Sequence, residues 1–477
     1  PSVGTINKAV GGCLLCGSTV EATKTRELFQ NGEYEEQMIA VVLKHPRKKG
    51  KLYRIATDND LKTFQKARTY FENKNKILSD KLDFNPVPDE NTPFGKGRGA
   101  ERAFSVRNYG IDKWGDLFNS RQRLSLISFV DSLKKAKETM TELGYDDGYI
   151  TAILTYLALS IDMTAAFSNT LARWENTSEA IKQLYSRQTL SFLWDYVEAN
   201  PFSGASGSFK SGWKYYYKVI DHCAKTSKKS AIVKQSSATS LPYPDNYFDA
   251  IFTDPPYYDN VPYSYLSDFF YVWLKRMLSD IYPDLFTTKL TPKSNEIVAY
   301  TFDKSWDESK KFFENLLKNS FQEIYRVLKP DGITTIVYAH KTTAGWETVI
   351  NALLDSGLTV TASWPLSTEM TSRLRARNSA ALASSIYIVA RKFEKDEIGL
   401  FKDVKLEIKD YIPKKLDRLW DEGISGADFF ISAIGSAIEV FGKYKKIYDN
   451  EGNEIKAQAL LSFVRDVVTD YAMKQIL

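Results

Sequence analysis

The stretch FDAIFTDPPYY, residues 248–258, decides the fold class. Residues 247–252 are aromatic, β-branched or apolar apart from one aspartate, and this composition predicts a short buried strand. The strand runs directly into Asp254, and the two prolines after it stiffen the turn by fixing φ. Because open α/β sheets bind their ligands outside the carboxyl ends of their strands, we expect the functional site at this turn.

Strand and helix patterns alternate on both sides of this run. Downstream, a helix with apolar residues at helical spacing is expected to stop at residues 329–332, Lys-Pro-Asp-Gly. The alternation predicts an α/β fold with a mostly parallel sheet covered by helices. The other predicted elements are a strand at 231–234, a helix at 304–328, a strand at 333–338, a helix at 346–354, and two last strands at 358–364 and 385–390 that could form a hairpin.

A strand that ends in Asp-Pro-Pro-Tyr resembles the catalytic motif of methyltransferases that act on the exocyclic amino groups of DNA bases. The resemblance implies that the Asp254 carboxylate and the Pro255 carbonyl accept the two N–H bonds of the amine. The lone pair of this nitrogen is otherwise delocalised into the ring. Pro256 then shapes the turn, and Tyr257 stacks on a base that has left the double helix. Catalysis of this kind rests on positioning and electrostatics.

Two further tyrosines, Tyr258 and Tyr263, lie in or next to the same turn and are candidates for stacking on the substrate base. Residues 263–278 carry a broad apolar face at helical spacing. This face has two interpretations, a core helix or a base-stacking platform, and we favour the core helix.

The resemblance becomes specific over residues 254–276, which are similar to a family of large, zinc-ribbon-containing, adenine-specific DNA methylases of bacteria and archaea. It spans almost the whole chain and implies S-adenosylmethionine-dependent N6-adenine methylation of DNA. A role in restriction–modification or phage defence is what the resemblance suggests. The other matching segments are 109–118, 186–188, 200–203, 339–342, 364–370, 379–385 and 426–429.

The fold implied by this family is a Rossmann-like class I methyltransferase sheet with helical insertions and a small zinc-ribbon-like N-terminal piece. S-adenosyl-L-methionine is the implied cofactor, and Ser237, Ala238, Asp254 and His340 are the residues expected to bind it. The family has an acidic residue at the position of Ser237, so a serine there keeps hydrogen bonding but loses charge. A structural role for His340 remains an equal alternative.

One part of the family pattern has no convincing counterpart in this sequence. Class I methyltransferases bind S-adenosylmethionine through a Gly-rich loop after their first strand. Residues 202–207, Phe-Ser-Gly-Ala-Ser-Gly, look similar, but they follow residues 190–198, which predict a helix rather than a strand. We therefore expect 202–207 to be a turn. The sheet would be partial, or completed by a second chain or a missing N-terminal segment that carries the loop.

Cysteine usage leads to the same expectation. Three cysteines in 477 residues exclude a disulfide framework and suit a reducing cytoplasm. Cys13 and Cys16, followed by Gly17, form half of a zinc ribbon, whereas structural zinc needs four ligands. Zinc is therefore expected only if two ligands come from elsewhere, and a tight turn without metal is the alternative. Cys223 lies in a predicted helix and is expected to be a buried apolar residue.

Composition fits a soluble enzyme. Mean hydropathy is −0.34, and residues 153–167 read as a buried helix rather than a membrane span, because Ser160 and Asp162 interrupt them. The net charge is +5. Basic clusters lie at 44–51, expected as a hairpin tip, at 225–229, and at Arg373, Arg375 and Arg377. Such clusters suit phosphate contacts, although a run of charge is more often only a solvated surface; of the three, the arginines are the preferred candidate for a DNA contact.

Four regions are expected along the chain. They are a zinc-ribbon-like remnant at 1–56, a helical region at 57–199 with a loop at 81–110, the methyltransferase catalytic region at 200–392, and a helical C-terminal extension at 393–477. The rival to the enzyme is a non-catalytic nucleic-acid-binding or assembly subunit of a methylase complex. The motif alone also leaves RNA beside DNA and cytosine beside adenine open.

Overall fold

The computed structural model describes residues 5–7, 9–13, 15–45, 47, 50–94, 104–185, 189–226, 229–258, 261–300, 304–340, 343–367, 384–392, 397–421 and 427–476. Over these residues the chain is mixed α/β, as predicted. It separates into two compact units. The first comprises Pro1–Ala231, Pro262–Ser294 and Thr301–Asp303, and the second comprises Ile232–Val261, Asn295–Tyr300 and Lys304–Leu477.

The first unit holds seven short strands and six helices among its described residues. The strands are β1 (Ile6–Asn7), β2 (Val10–Gly12), β3 (Thr19–Val20), β4 (Ala40–Lys44), β5 (Lys51–Ile55), β6 (Arg173–Glu175) and β7 (Ala180–Lys182). The helices are α1 (Ala22–Gln30), α2 (Asp58–Lys81), α3 (Ser120–Glu142), α4 (Asp147–Phe167), α5 (Phe209–Thr226) and α6 (Tyr263–Leu278). Strands β1–β3 form an antiparallel sheet, and β4 pairs with β5 as the predicted hairpin.

Helix α4 lies at the centre of the first unit, where it packs against α3, α5 and α6. By length and composition it is the one described helix that could cross a membrane. Half of its most apolar stretch, however, is buried inside the structure. Asp162 is buried near its end, and this burial raises the pKa of the carboxyl group well above its usual range. Core helices of soluble proteins pass the same length and composition test, so the helix is weak support for a membrane span.

The predicted helix at 190–198 is wrong. Residues 191–200 are irregular, and Phe192 and Trp194 instead join an aromatic cluster in which Phe192 stacks on Tyr109 with ring centroids 4.0 Å apart. Residues 201–208 form the expected turn. A Cβ added at Gly207, where φ is +82°, would lie 2.8 Å from Cβ of Phe167, so the turn has a packing reason for its glycine.

The second unit holds the larger sheet. Its strands are β8 (Phe248–Thr253), β9 (Leu328–Tyr338), β10 (Leu358–Ser367), β11 (Ser384–Lys392), β12 (Ile398–Leu400) and β13 (Lys446–Tyr448). Its helices are α7 (Trp306–Val327), α8 (Thr343–Ser356), α9 (Phe401–Asp421), α10 (Ala427–Phe441) and α11 (Ala457–Ile476). The sheet has the order β10-β11-β9-β8. Only β8 and β9 are parallel, so the prediction of a mostly parallel sheet is wrong for the described strands of this sheet, whereas the last two predicted strands pair antiparallel, as a hairpin would.

Helix α7 shows why the sequence prediction succeeded here. Ser305 and Glu308 form a capping box: the Ser305 hydroxyl accepts from the Glu308 amide, and the Glu308 carboxylate accepts from the Ser305 amide at 2.8 Å. The helix ends at Val327 as expected. The separate turn expected at 329–332 is wrong, because β9 begins directly at Leu328. Pairing with β8 shifts between Phe248 and Ala250, so these four residues have no partner in β8.

One face of this sheet packs into the core, and the other is partly exposed among the described residues. Ile336, Tyr338, Ile386 and Ile388 belong to one core with the apolar residues of α7–α11. The opposite face carries Phe252, Trp364 and Leu366, and Phe252 is 66% exposed. Since strands of parallel sheets are normally covered on both faces, β8 is an incompletely covered strand.

Strand β8 is also an edge. It pairs only with β9 within the part of the chain that the structure describes. The strand predicted at 231–234 is wrong: these residues are irregular, and Ile232 and Val233 are almost fully exposed. Four apolar-rich residues without a neighbouring strand cannot satisfy their backbone groups in a sheet.

Candidate active site

The turn that follows β8 lies at the carboxyl edge of the two parallel strands. Thr253 pairs with Ile336, so Asp254 leaves the sheet at the same edge where β9 ends with Tyr338. Asp254 is exposed and makes no hydrogen bond with any described residue. The expectation that this carboxylate stands outside the end of a strand is therefore met by the geometry.

The turn holds an unusual backbone conformation. Pro255 is buried and Pro256 is half-buried, and the Tyr258 amide donates to the Pro256 carbonyl at 3.2 Å. Tyr258 has a φ of +43°, a value that bulky residues rarely adopt. The Ala299 amide donates to the Tyr258 carbonyl at 3.0 Å and so helps to hold this conformation. Strain of this sort persists only where the surroundings enforce it.

The two tyrosines of the turn have different environments. The Tyr258 ring is 5% exposed and packs edge-on against Trp306, Phe313 and His340. It therefore anchors the turn in the core and leaves no open face for a base. Tyr257 is half-buried, with its ring edge-on to Tyr338 at 5.5 Å between centroids. Tyr257 is the better stacking candidate of the two.

His340 follows the end of β9 and contacts the turn. Its ring lies 5.6 Å from that of Tyr258, and its carbonyl accepts a hydrogen bond of 2.9 Å from the Trp346 indole. The Tyr338 hydroxyl donates to the Gly345 carbonyl at 3.1 Å. Helix α8 thus fixes the segment that carries the predicted cofactor residue.

Gly345 gives a direct test of this arrangement. A Cβ added there would lie 2.2 Å from Nδ1 of His340, so we expect Gly345→Ala to displace the imidazole from the turn while leaving the fold intact. The chain has three histidines, and NMR of a histidine-labelled chain resolves them. The His340 ring resonances should shift, and those of His45 and His222 should not.

Gly212→Ala is the matched control, because its added Cβ would have ordinary contacts at 3.5 Å with Met163 and Ser160. Unchanged His340 resonances in the Gly345→Ala chain would contradict the placement of the ring against Gly345.

The other predicted cofactor residues lie in a turn before β8. Ser237 and Ala238 are exposed, and the Ser237 hydroxyl lies 2.8 Å from the Thr239 hydroxyl. The segment that joins them to β8 is held by Arg326, whose guanidinium donates to the carbonyls of Leu241 and Tyr243. This anchor fixes the loop at its β8 end.

Two carboxylates, those of Glu323 and Asp245, fix the position of the Arg326 guanidinium. Its guanidinium pairs with Glu323 and with Asp245, at 2.6 and 2.7 Å, and its hydrogen bonds lower the pKa of the Glu323 carboxyl. Glu323 also accepts from the Leu241 amide at 2.7 Å. Sequence reasoning missed Arg326, although a basic residue in the last turn of α7 was a signal that could have been used.

Several predicted site residues belong to the first unit or lie outside the described residues. Tyr263 begins α6 in the first unit. Arg373, Arg375 and Arg377 lie outside the described residues. Residues 202–207 belong to the first unit and follow no strand. Within the second unit, the positions predicted to bind a cofactor are the turn at Ser237, Asp254 and the His340 segment, and they offer polar and aromatic contacts but no Gly-rich loop.

The cysteine pair forms a turn between β2 and β3. The Gly17 amide donates to the Cys13 carbonyl at 3.0 Å, and Gly17 has a φ of +72°. Hydrogen bonding to Ser18 lowers the pKa of the Cys16 thiol to about 7. Both thiols are exposed, but the described residues contain no group of three or more metal-ligating side chains. Two thiols are half a structural zinc site. Cys223 is exposed, contrary to expectation.

Sequence reasoning also missed the aromatic support of the turn. Trp346 is fully buried, and its indole packs edge-on against Tyr338 at 5.2 Å. Its place at the start of a predicted helix after a strand was the available signal. Comparison of the whole chain with known proteins gives no match to a family model, a curated protein or a solved structure.

Proposed function

We propose that this chain is the catalytic part of an S-adenosylmethionine-dependent N6-adenine DNA methyltransferase with a class I, Rossmann-like sheet. The observation that carries the proposal is the exposed Asp254 carboxylate at the end of a strand, followed by a turn that the protein holds in a strained conformation. The parallel pair β8–β9, with helices on one face, supports the sheet assignment.

In this proposal each residue of the turn has a task. Asp254 accepts an N–H of the adenine amine and draws its lone pair out of the ring. The Pro255 carbonyl accepts the second N–H, and Tyr257 stacks on the flipped base. Bound S-adenosylmethionine supplies the electrophilic methyl group. Ser237, Ala238 and His340 contact the cofactor, and the buried Tyr258 holds the turn in place.

A second chain or further segment completes the site in this proposal. Among the described residues β8 has no partner on one edge, and Phe252 is exposed, so one more strand and a covering helix would complete this part of the sheet. Parallel strands such as β8 and β9 are normally covered on both faces. A partner that carries a strand, a Gly-rich loop and a helix would supply the cofactor-binding half. Two further zinc ligands beside Cys13 and Cys16 would have the same origin.

The second candidate is a non-catalytic nucleic-acid-binding or assembly subunit. It is favoured by one observation: within the described residues, no strand leads into a Gly-rich turn at 202–207. The two candidates differ in whether any form of this protein binds S-adenosylmethionine.

Calorimetric titration with S-adenosylmethionine separates them. We expect no binding by the purified chain alone and binding when a co-purifying partner is present, because the partner supplies the missing loop. Binding by the chain alone would mean that no partner is needed and would make residues 202–207 the candidate cofactor loop. If neither sample binds the cofactor, the catalytic proposal fails and the non-catalytic subunit takes its place.

A further inference from the structure

The positive charge of this protein is concentrated in one continuous segment. Residues 40–81, which form the β4–β5 hairpin and helix α2, contain twelve Lys and Arg against four Asp and Glu, a net charge of +8. The whole chain carries +5, so the rest of the chain carries a net −3. A charge asymmetry of this kind marks an electrostatic footprint for a polyanion.

The hairpin and the helix are joined rigidly. The Thr57 hydroxyl and amide donate to the Asp60 carboxylate at 2.7 and 2.8 Å, which forms the N-terminal cap of α2. Arg54, on β5, forms two hydrogen bonds with the same carboxylate. These hydrogen bonds therefore fix the orientation of the first turn of α2 relative to the end of β5.

Helix α2 has one buried face and one open face. Leu78 is buried, and Lys74 pairs with Asp131 of α3 at 2.6 Å. The open face follows the spacing of Lys62, Lys66 and Tyr70, which are all exposed. Neither lysine forms an ion pair with any residue that the structure describes. Further exposed residues on this face are Asn59, Thr63, Thr69, Asn73, Lys76 and Ile77, with one exposed aspartate near each end of the helix, Asp58 and Asp80.

The β4–β5 hairpin also carries basic side chains without acidic partners. Lys44 and Arg47 are exposed, and Lys51 is half-buried. None of the three forms an ion pair within the described ranges. Basic side chains that lie close together without acidic partners repel one another. A bound counter-charge would relieve this repulsion.

We propose that the β4–β5 hairpin and the exposed face of α2, which we call the basic face, bind the phosphate backbone of duplex DNA. Lysine, asparagine, threonine and tyrosine side chains are the groups that proteins use for phosphate contacts. A helix of 24 residues is roughly 36 Å long, about one turn of the double helix. The basic face would position the duplex without reading its sequence.

A protein partner fits this surface less well. The cores of protein interfaces are depleted in lysine, and the exposed Tyr70 and Ile77 are isolated among charged and amide side chains. The choice of DNA rests on the proposed function, but the binding itself needs neither the cofactor nor methyl transfer.

The test measures binding of a fluorescein-labelled 24-base-pair duplex by anisotropy, without cofactor, between 50 and 300 mM NaCl. Lys62→Glu with Lys66→Glu should weaken binding at 100 mM NaCl at least about tenfold and reduce the slope of log affinity against log salt by about 2, since each lost phosphate contact removes about 0.9. Both side chains are exposed, so the fold should be unaffected.

Lys214→Glu with Lys218→Glu is the matched control. These lysines are also exposed, also four residues apart, and lie on α5 of the same unit. The control should keep wild-type affinity. The proposal is overturned if the wild-type chain binds no duplex, if both double variants lose affinity equally, or if the α2 variant binds as the wild type does.

The result is separable from the proposed function. Loss of duplex binding by the α2 variant together with normal cofactor titration would support the basic face whatever the catalytic outcome. Normal duplex binding with loss of a co-purifying protein would replace DNA by a protein as the ligand of this surface.

Discussion

Under the proposed function, we expect the Asp254→Asn chain, assayed with the proposed partner, to transfer methyl groups to adenine about 10²- to 10⁴-fold more slowly than the wild-type chain, the range that a positioned proton acceptor contributes. Asparagine keeps the shape of the side chain but removes the charge that draws the amine lone pair out of the ring. The measurement is single-turnover transfer of a labelled methyl group to duplex DNA.

Stability should not change in this variant. Asp254 is exposed and makes no hydrogen bond with the described residues, so its unfolding free energy should stay within about 0.5 kcal/mol of wild type. Asp249→Asn is the control on the same strand: its carboxylate is also exposed and pairs with Lys329. Equal transfer rates in the Asp254→Asn and wild-type chains would rule out Asp254 as the proton acceptor.

The second large effect is expected on stability. Trp346→Ala should lower the unfolding free energy of the second unit by about 3–5 kcal/mol, the usual cost of removing a fully buried tryptophan. The variant also loses the 2.9 Å hydrogen bond from the indole to the His340 carbonyl. Urea denaturation followed by far-ultraviolet circular dichroism measures the loss in the transition of that unit.

Trp364→Ala is the control for this measurement. Trp364 lies on the other face of the same sheet and is 47% exposed, so its replacement should cost less than half as much. An equal loss in the two variants would mean that Trp346 does not support the turn through burial.

The elements that sequence reasoning predicted well have a strong local signal. Helix α6 was expected at 263–278 and has these bounds, because its apolar residues recur at helical spacing over four turns. Strand β8 was expected from a run of aromatic and β-branched residues, and it ends one residue before Asp254. In both cases local propensity and tertiary packing agree.

The errors have tertiary causes. Residues 190–198 have a helical pattern, but Phe192 and Trp194 find a better environment in a cluster with Phe29 and Tyr109. Packing of this kind overrides helix propensity, which differs by less than about 1 kcal/mol per residue. The strand at 231–234 needed a neighbour that the described sheet does not provide. No pattern in the sequence revealed that Tyr258 turns inward while Tyr257 does not.

The candidate site was predictable only in part for the same reason. The Asp-Pro-Pro-Tyr turn is a local motif, and its position at a strand end followed from the apolar run before it. The supports of the turn come from distant segments: Ala299, Trp306, Phe313 and Trp346. Such contacts depend on the whole fold, which a single sequence does not display.

The open edge of β8 also bears on how a cell must produce this protein. Strand β8 pairs only with β9 among the described residues and carries an exposed phenylalanine, so its other edge is a template for pairing with another chain, including a second copy of itself. The isolated protein should therefore lose solubility as its concentration rises. In the proposed two-chain enzyme, balanced synthesis of the two chains, with assembly soon after translation, would protect this edge from aggregation, so the ratio of the two gene products would matter as much as their activity.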